Sequence, residues 1–254
     1  MDIEYAAQAI WRAMKNKRYL TPEWVGKLTM AEAYAVQLAI LQKHLAEGDT
    51  QAGWKVGLTS SAMRAQNGIA EPCFGFLLRS GHLRSGIRLK FDELIAPAIE
   101  NELCLTMGET LRGPGVTFDQ ARRAITTVEP AMEISEVRGD FKADIPLSIT
   151  DNCQQKAFVT GTPSAFGVDD ALHQARVDVS FNGQQRATAM GAEVMGNPVH
   201  SVVWLANKLA QYGVVLESGM RIMSGSFTQQ FAVSRGDAVL SRFTPFGVVE
   251  VAFD

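Results

Sequence analysis

The stretch Ala98-Ile-Glu-Asn-Glu-Leu-Cys-Leu-Thr106 decides how this chain is read. Successive side chains of a β-strand point to opposite faces, so Glu100 and Glu102 share one face while Ile99, Leu103 and Leu105 share the other. Two carboxylates at i and i+2 on an otherwise apolar strand repel each other. Burying them without a counter-charge is costly. A second apolar run, Val128-Glu-Pro-Ala-Met-Glu-Ile134, sets Glu133 between Met132 and Ile134, with Glu129 on the same strand face. Spacing leaves two readings open: a solvated sheet face, the usual outcome of alternation, or carboxylates gathered around a cation. With no histidine or thiolate at ligand spacing, the second reading implies a hard ion, Mg²⁺ or Mn²⁺, rather than zinc. The pattern does not choose between Glu129 and Glu133 as the third ligand.

Upstream of this stretch the chain reads as helix. Ile3, Ala6, Ala7, Ile10, Trp11 and Met14 recur at helical spacing, and Thr21-Pro22 has the form of an N-cap followed by proline. Thr29-Met-Ala-Glu32 has capping-box spacing ahead of a second amphipathic run, residues 33–45, that ends near Gly48. From Gly53 onward short β-type runs are punctuated by glycine and proline. Beyond the two acidic runs, taken as 99–107 and 128–137, strands are expected at 157–160, 177–181, 221–224, 238–243 and 248–253, with Leu147–Thr150 also strand-like. Helices are expected after Thr117-Phe-Asp-Gln120 and over 202–212, with Gly213 at C′. Helices first and strands after argue an α+β fold: residues 1–52 as an N-terminal helical region, 53–254 as a mixed β catalytic core.

Composition excludes several classes. With 254 residues, 46% hydrophobic and 20% charged, the chain has an ordinary globular makeup and enough length for a sizeable core. A net charge of -3 leaves no basic footprint for nucleic acid. No apolar run approaches the roughly 20 residues of a membrane span, and the acid-bearing N-terminus does not fit a secretory signal. Cys73, Cys104 and Cys153 are odd in number and lack CxxC spacing, which fits neither a disulfide frame nor a zinc knuckle and suggests a reducing cytoplasm.

Several motifs occur in order: Gly53-Trp-Lys-Val-Gly-Leu-Thr-Ser60, Pro72-Cys-Phe-Gly75, Ile99-Glu-Asn-Glu-Leu103, Gly113-Pro-Gly115, Pro130-Ala-Met-Glu133, Thr150-Asp-Asn152 and Met223-Ser-Gly225. Together they resemble the 2-keto-4-pentenoate hydratase / 4-oxalocrotonate decarboxylase branch of the fumarylacetoacetate hydrolase superfamily, over nearly the whole chain. The resemblance implies a mixed, rolled β-sandwich core with N-terminal helices and a homo-oligomer. It implies Mg²⁺ or Mn²⁺ on Glu100, Glu102 and Glu133, which would settle the choice against Glu129. It places Lys55 close to the metal-bound substrate, Asp151 among the catalytic groups, and Thr59, Asn152, Ser224 and Gly225 among the substrate-binding ones. Two positions depart from the pattern: Cys73 stands where some hydratases carry an acid, and Gln154 where many members carry serine.

The expected substrate is a small 2-oxo or 2-hydroxydienoic acid. Its carboxylate and 2-oxygen chelate the metal, a Lewis acid for charge developing on that oxygen. The expected reaction is hydration of a 2-hydroxy-2,4-dienoate to a 4-hydroxy-2-oxo acid in aromatic degradation. The alternatives are a decarboxylase of a 4-oxalocrotonate-like diacid, a C–C bond hydrolase, and a non-catalytic metal-binding partner subunit. The loop Glu71–Gly75 offers no basic residue to receive a second carboxylate. For Lys55, burial would lower the pKa and nearby carboxylates would raise it. Asp151-Asn152 reads equally as a turn, Ser224-Gly225-Ser226 as a β-bulge, and Cys73 and Cys104 as small core residues. The four histidines fall outside the matched motifs.

Overall fold

Asp2 caps the first helix, α1 (Ile3–Lys15), by accepting the Tyr5 amide, and the helix buries Ala6, Ala7, Ile10 and Trp11. Thr29 and Glu32 form the reciprocal capping box of α2 (Met30–Ala46). Gln37 of α2 is fully buried, and its Nε2 donates to the Phe74 carbonyl at 3.1 Å and the Ile149 carbonyl at 2.8 Å. One side chain thus ties the helical layer to the sheet behind it. This structure is a computed structural model and describes residues 1–61, 64–65, 68–167 and 170–254.

The strands are β1 (Gln51–Gly57), β2 (Cys73–Leu78), β3 (His82–Arg84), β4 (Ile87–Leu89), β5 (Pro97–Met107), β6 (Ile125–Glu136) and β7 (Gln155–Thr160). They continue as β8 (Ser164–Ala165), β9 (Arg176–Phe181), β10 (Gln184–Met190), β11 (Arg221–Met223), β12 (Phe231–Ala232), β13 (Ala238–Thr244) and β14 (Gly247–Phe253). The larger sheet runs β2-β1-β11-β5-β6-β7-β3, with β12 beside β5 and β8 beside β6; the smaller runs β10-β9-β13-β14-β4. Most pairs are antiparallel, while β1–β11, β3–β7 and β4–β14 are parallel. The larger sheet rolls until β2 nears β7, and β13 and β14 pack against β6. This is the mixed helix-and-rolled-sheet fold that the motifs implied.

The two faces of β5 and β6 have different fates. Ile99, Leu103, Leu105, Val128, Met132 and Ile134 enter the main core, which is continuous with α1 and α2. On that face Asn101 is fully buried but satisfied, donating to Thr228 Oγ1 at 2.9 Å and accepting from Ser241 Oγ at 2.6 Å. The other face carries the glutamates and ends in a small apolar cluster of Ala52, Leu77, Cys104, Ala131, Phe158 and Met223.

Several elements depart from the sequence reading. Leu147–Thr150 belongs to a helix, α4 (Ile145–Thr150), not a strand: Asp144 accepts the Leu147 amide at 2.9 Å and proline stands in the first turn. Such a start outweighs the β-branched content of the run. Thr21-Pro22 opens only a 3₁₀ turn, Pro22–Trp24, with no side-chain cap. The remaining helices lie where expected: α3 (Phe118–Ala124) behind a Thr117–Gln120 capping box, and α5 (Val199–Leu209) running into a turn closed by Gly213 at φ 69°.

Candidate active site

In the β5–β6 ladder Glu100 lies directly opposite Glu133, Glu102 opposite Ala131, and Glu129 opposite Cys104. Glu133 therefore sits among the other two glutamates, while Glu129 sits farther along the strand. The nearest cations to Glu129 are Arg221 at 3.8 Å and Arg84 at 3.9 Å. Lys55, from the middle of β1, reaches across the rolled sheet and sets Nζ 3.3 Å from Glu133 Oε1.

Four of these groups are buried: Glu102 is 0% exposed, Glu133 1%, Glu129 2% and Lys55 5%. Burial, with Glu133 and Glu100 adding like charge, raises the Glu102 pKa well above the carboxylate range. Burial also pushes Glu133 up to about 7, against the pull of Lys55. For Lys55 burial acts the other way. Glu133, the thiols of Cys153 and Cys73, and Glu100 outweigh it and hold the ammonium pKa well above its ordinary value. The two opposing influences foreseen for this lysine are both present, and the acids win.

The lysine fits because its neighbours have no side chains. Gly75 is its antiparallel partner on β2, and a Cβ there would stand 3.3 Å from Lys55 Cε and 2.7 Å from Asn152 Oδ1. Gly225 lies at φ 106°, a conformation L side chains rarely adopt, and a Cβ on it would meet Thr59 Cγ2 at 2.4 Å. The Gly225 amide is thereby free to donate to Glu102 Oε2 at 2.7 Å. Glu100, half-buried, is held by Gln230 Nε2 at 2.9 Å.

These residues form the floor of a cavity of about 360 Å³. Lys55, Thr59 and Glu100 line it directly; Glu102, Glu133 and Gly225 lie just beneath. Ser224 is fully buried, its carbonyl accepting from Ser201 Oγ at 2.6 Å. Asp151 and Asn152 do not line the cavity. Asp151 pairs with Arg138 Nε at 2.8 Å, and burial raises its pKa to about 6 despite that guanidinium. Asn152 completes the β2 edge, its Oδ1 accepting the Phe76 amide at 2.8 Å and its Nδ2 donating to the Phe76 carbonyl at 2.9 Å.

Sequence reasoning missed Lys142, Cys153 and Gln230 as cavity residues, whereas Cys73 and Gln154, the two positions that depart from the family pattern, both line it. Asn152, Cys153 and Gln154 all have positive φ, a left-handed turn with no glycine to announce it. Lys142 arrives on an irregular segment after β6. No periodic signal marks either.

The donor set fits a hard divalent cation. Among the described residues, Glu102 Oε1 and Glu133 Oε2 are buried without a partner, and Glu133 Oε1 has only the Lys55 ammonium at 3.3 Å. Unsatisfied carboxylate oxygens in so dry a place need a counter-charge beyond one lysine. The acids are adjacent rather than converged: among the described residues no three His, Cys, Asp or Glu side chains close to metal-ligand geometry.

No family model matches the sequence. Over 240 residues the chain is 32% identical to the 2-hydroxyhexa-2,4-dienoate hydratase of Comamonas testosteroni, covering 92% of this chain and 91% of that one. It is 33% identical to a 4-oxalocrotonate decarboxylase of Pseudomonas putida, over 89% of this chain and 86% of that one. The structure of 4-oxalocrotonate decarboxylase from Pseudomonas putida G7, complexed with magnesium and adipate, superposes with a TM-score of 0.92. It is 32% identical and covers 99% of this chain and 97% of its own. A fumarylpyruvate hydrolase from Pseudomonas aeruginosa, at 15% identity and a TM-score of 0.63, shares the fold alone. A relative more than 30% identical along nine-tenths of the sequence settles the family. The chain belongs to the 2-keto-4-pentenoate hydratase / 4-oxalocrotonate decarboxylase family.

Proposed function

We propose that this chain is a metal-dependent hydratase that adds water to a 2-hydroxy-2,4-dienoate, giving a 4-hydroxy-2-oxo acid. The observation that carries the reading is the buried Lys55–Glu133 pair, 3.3 Å apart beneath the cavity and beside Glu102. Mg²⁺ or Mn²⁺ held by Glu100, Glu102 and Glu133 would act as a Lewis acid toward charge developing on the substrate's 2-oxygen. Lys55 keeps its Nζ protonated, so its part is to donate: it orients the substrate and delivers a proton rather than abstracting one. The Thr59 hydroxyl, buried on the cavity wall, and the backbone that Gly225 leaves open position the acid. Asp151, Asn152 and Ser224 act through structure, holding the turn and loop that carry cavity residues. The protein works as a homo-oligomer in a reducing cytoplasm within aromatic degradation.

One observation favours the decarboxylase reading. Lys142, exposed at the cavity mouth, is a cation that the Glu71–Gly75 loop lacks and could receive the second carboxylate of a diacid. The experiment offers freshly generated 2-hydroxypenta-2,4-dienoate and 2-oxo-3-hexenedioate with Mg²⁺ or Mn²⁺. Loss of dienoate absorbance with solvent oxygen incorporated at carbon 4 supports hydration. Release of CO₂ from the diacid, with no turnover of the dienoate, moves the chain to the decarboxylases.

A further inference from the structure

All three cysteines are free and buried, and two of them share one place. Cys73 opens β2 opposite Gly57, Cys153 sits in the left-handed turn after Asp151, and both line the cavity beside Lys55. Each thiol is the foremost influence on the other's ionisation, and Cys153 Sγ donates to the carbonyl of Phe74, the residue after Cys73, at 3.4 Å. A Cβ on Gly57 would stand 3.1 Å from Cys73 Sγ and 3.3 Å from Lys55 Nζ, so thiol and ammonium flank one point of β1. The turn is pinned on both sides of Cys153, by Asn152 on the Phe76 backbone and by Gln154 Nε2 on the Gly139 carbonyl at 2.7 Å. The pair is therefore held together rather than meeting by chance.

The electrostatics single out one of the two as the attacking thiol. The neighbouring Cys153, aided by Lys55, holds the Cys73 thiol below its ordinary value against the effect of burial. A thiolate beside an ammonium is the reactive form of cysteine. Cys104 is the internal contrast: it lies in the small apolar cluster, outside the cavity lining, and burial pushes its thiol up.

We propose that Cys73 and Cys153 form an oxidation site inside the cavity, where hydroperoxides close the two thiols into an intramolecular disulfide that stops turnover. Cys73 Sγ attacks one oxygen of the hydroperoxide, the O–O bond breaks, and the alcohol (water, for hydrogen peroxide) departs with a proton. The resulting sulfenic acid is attacked by Cys153 Sγ, which forms the S–S bond and expels water. Two thiols lose two electrons and one peroxide gains them. A later exchange with a small dithiol restores both thiols. The effect on turnover rests on reading the cavity as the substrate site; the chemistry of the pair does not.

The test treats the metal-loaded protein with hydrogen peroxide and follows intact mass, peptide maps and turnover of 2-hydroxypenta-2,4-dienoate. The expected result is loss of two hydrogens, a peptide joining residues 73 and 153, and Cys104 left free. Turnover should fall about 10²-fold in step with the bond, since it displaces groups beside Lys55, and dithiothreitol should restore it. Cys73→Ser and Cys153→Ser should each abolish the bond, and Cys104→Ser should leave it intact. A bond that uses Cys104, a bond between two chains, or overoxidation of Cys73 with no bond would each overturn the proposal. If the bond forms while turnover continues, the link to activity fails and the chemistry of the pair stands. Absence of the bond defeats the proposal whatever the activity.

Discussion

Glu100 and Glu133 are direct cross-strand partners, one from β5 and one from β6. Opposed residues in a ladder stand about 5 Å apart at Cβ, and like charges so placed destabilise a sheet. Glu102 adds a third carboxylate two residues along the same face, and Lys55 supplies only one positive charge. The chemistry proposed above follows from that imbalance.

Lys55→Met keeps the apolar stem but removes the charge 3.3 Å from Glu133. Turnover should fall by about 10² or more, the usual loss for a positioned proton donor. Melting of the metal-free protein should fall as well. Stranding a buried charge costs about 3–5 kcal/mol, eased here because Glu133 can take up a proton. Initial rates and calorimetry check both, and near-normal turnover would make Lys55 a bystander.

Asn152→Ala removes both hydrogen bonds to the Phe76 backbone. Leaving those buried groups unpaired costs about 1–3 kcal/mol each, before the added strain of alanine at φ 52°. Asn152→Asp keeps the acceptor but loses the donor and should recover part of the stability. Denaturant melts of the two variants should rank in that order, and equal stability of Asn152→Ala and the wild type would show that the turn is held elsewhere.

His82 supplies a pH dependence. It stacks on Phe158, its Nε2 lies 2.9 Å from Thr160 Oγ1, and burial with Arg221, Arg84 and Arg79 nearby lowers its pKa to about 4. The unfolded chain takes up this proton near pH 6.5 and the folded chain only near pH 4, so His82 lowers stability progressively as pH falls through that window. His82→Gln should flatten the loss. The stability difference between variant and wild type, followed from pH 7 to pH 4, should move in the variant's favour; a constant difference would exclude the effect.

The glutamate strands were legible because one face of each must be apolar, and alternation records that directly. Which glutamate of β6 stands opposite Glu100 was not legible from the pattern, because Glu129 and Glu133 share a face and only the register with β5 separates them. The helical reading of 202–212 succeeded because Gly213 terminates it. The strand reading of 147–150 fails because Asp144 caps, and Pro146 opens, a helix there. Lys142, Cys153 and Gln154 reach the cavity on an irregular segment and a left-handed turn, which carry no period to read.

Metal binding by Glu102 is read from the melting temperature against Mg²⁺ and Mn²⁺ for the wild type, Glu102→Gln and Glu129→Gln. A ligand that binds only the native state at a hundredfold excess over its Kd adds about 2.7 kcal/mol. A clear rise is expected for the wild type and for Glu129→Gln, and none for Glu102→Gln. A Glu102→Gln protein that responds to metal as the wild type does, or a Glu129→Gln protein that does not respond, would contradict it.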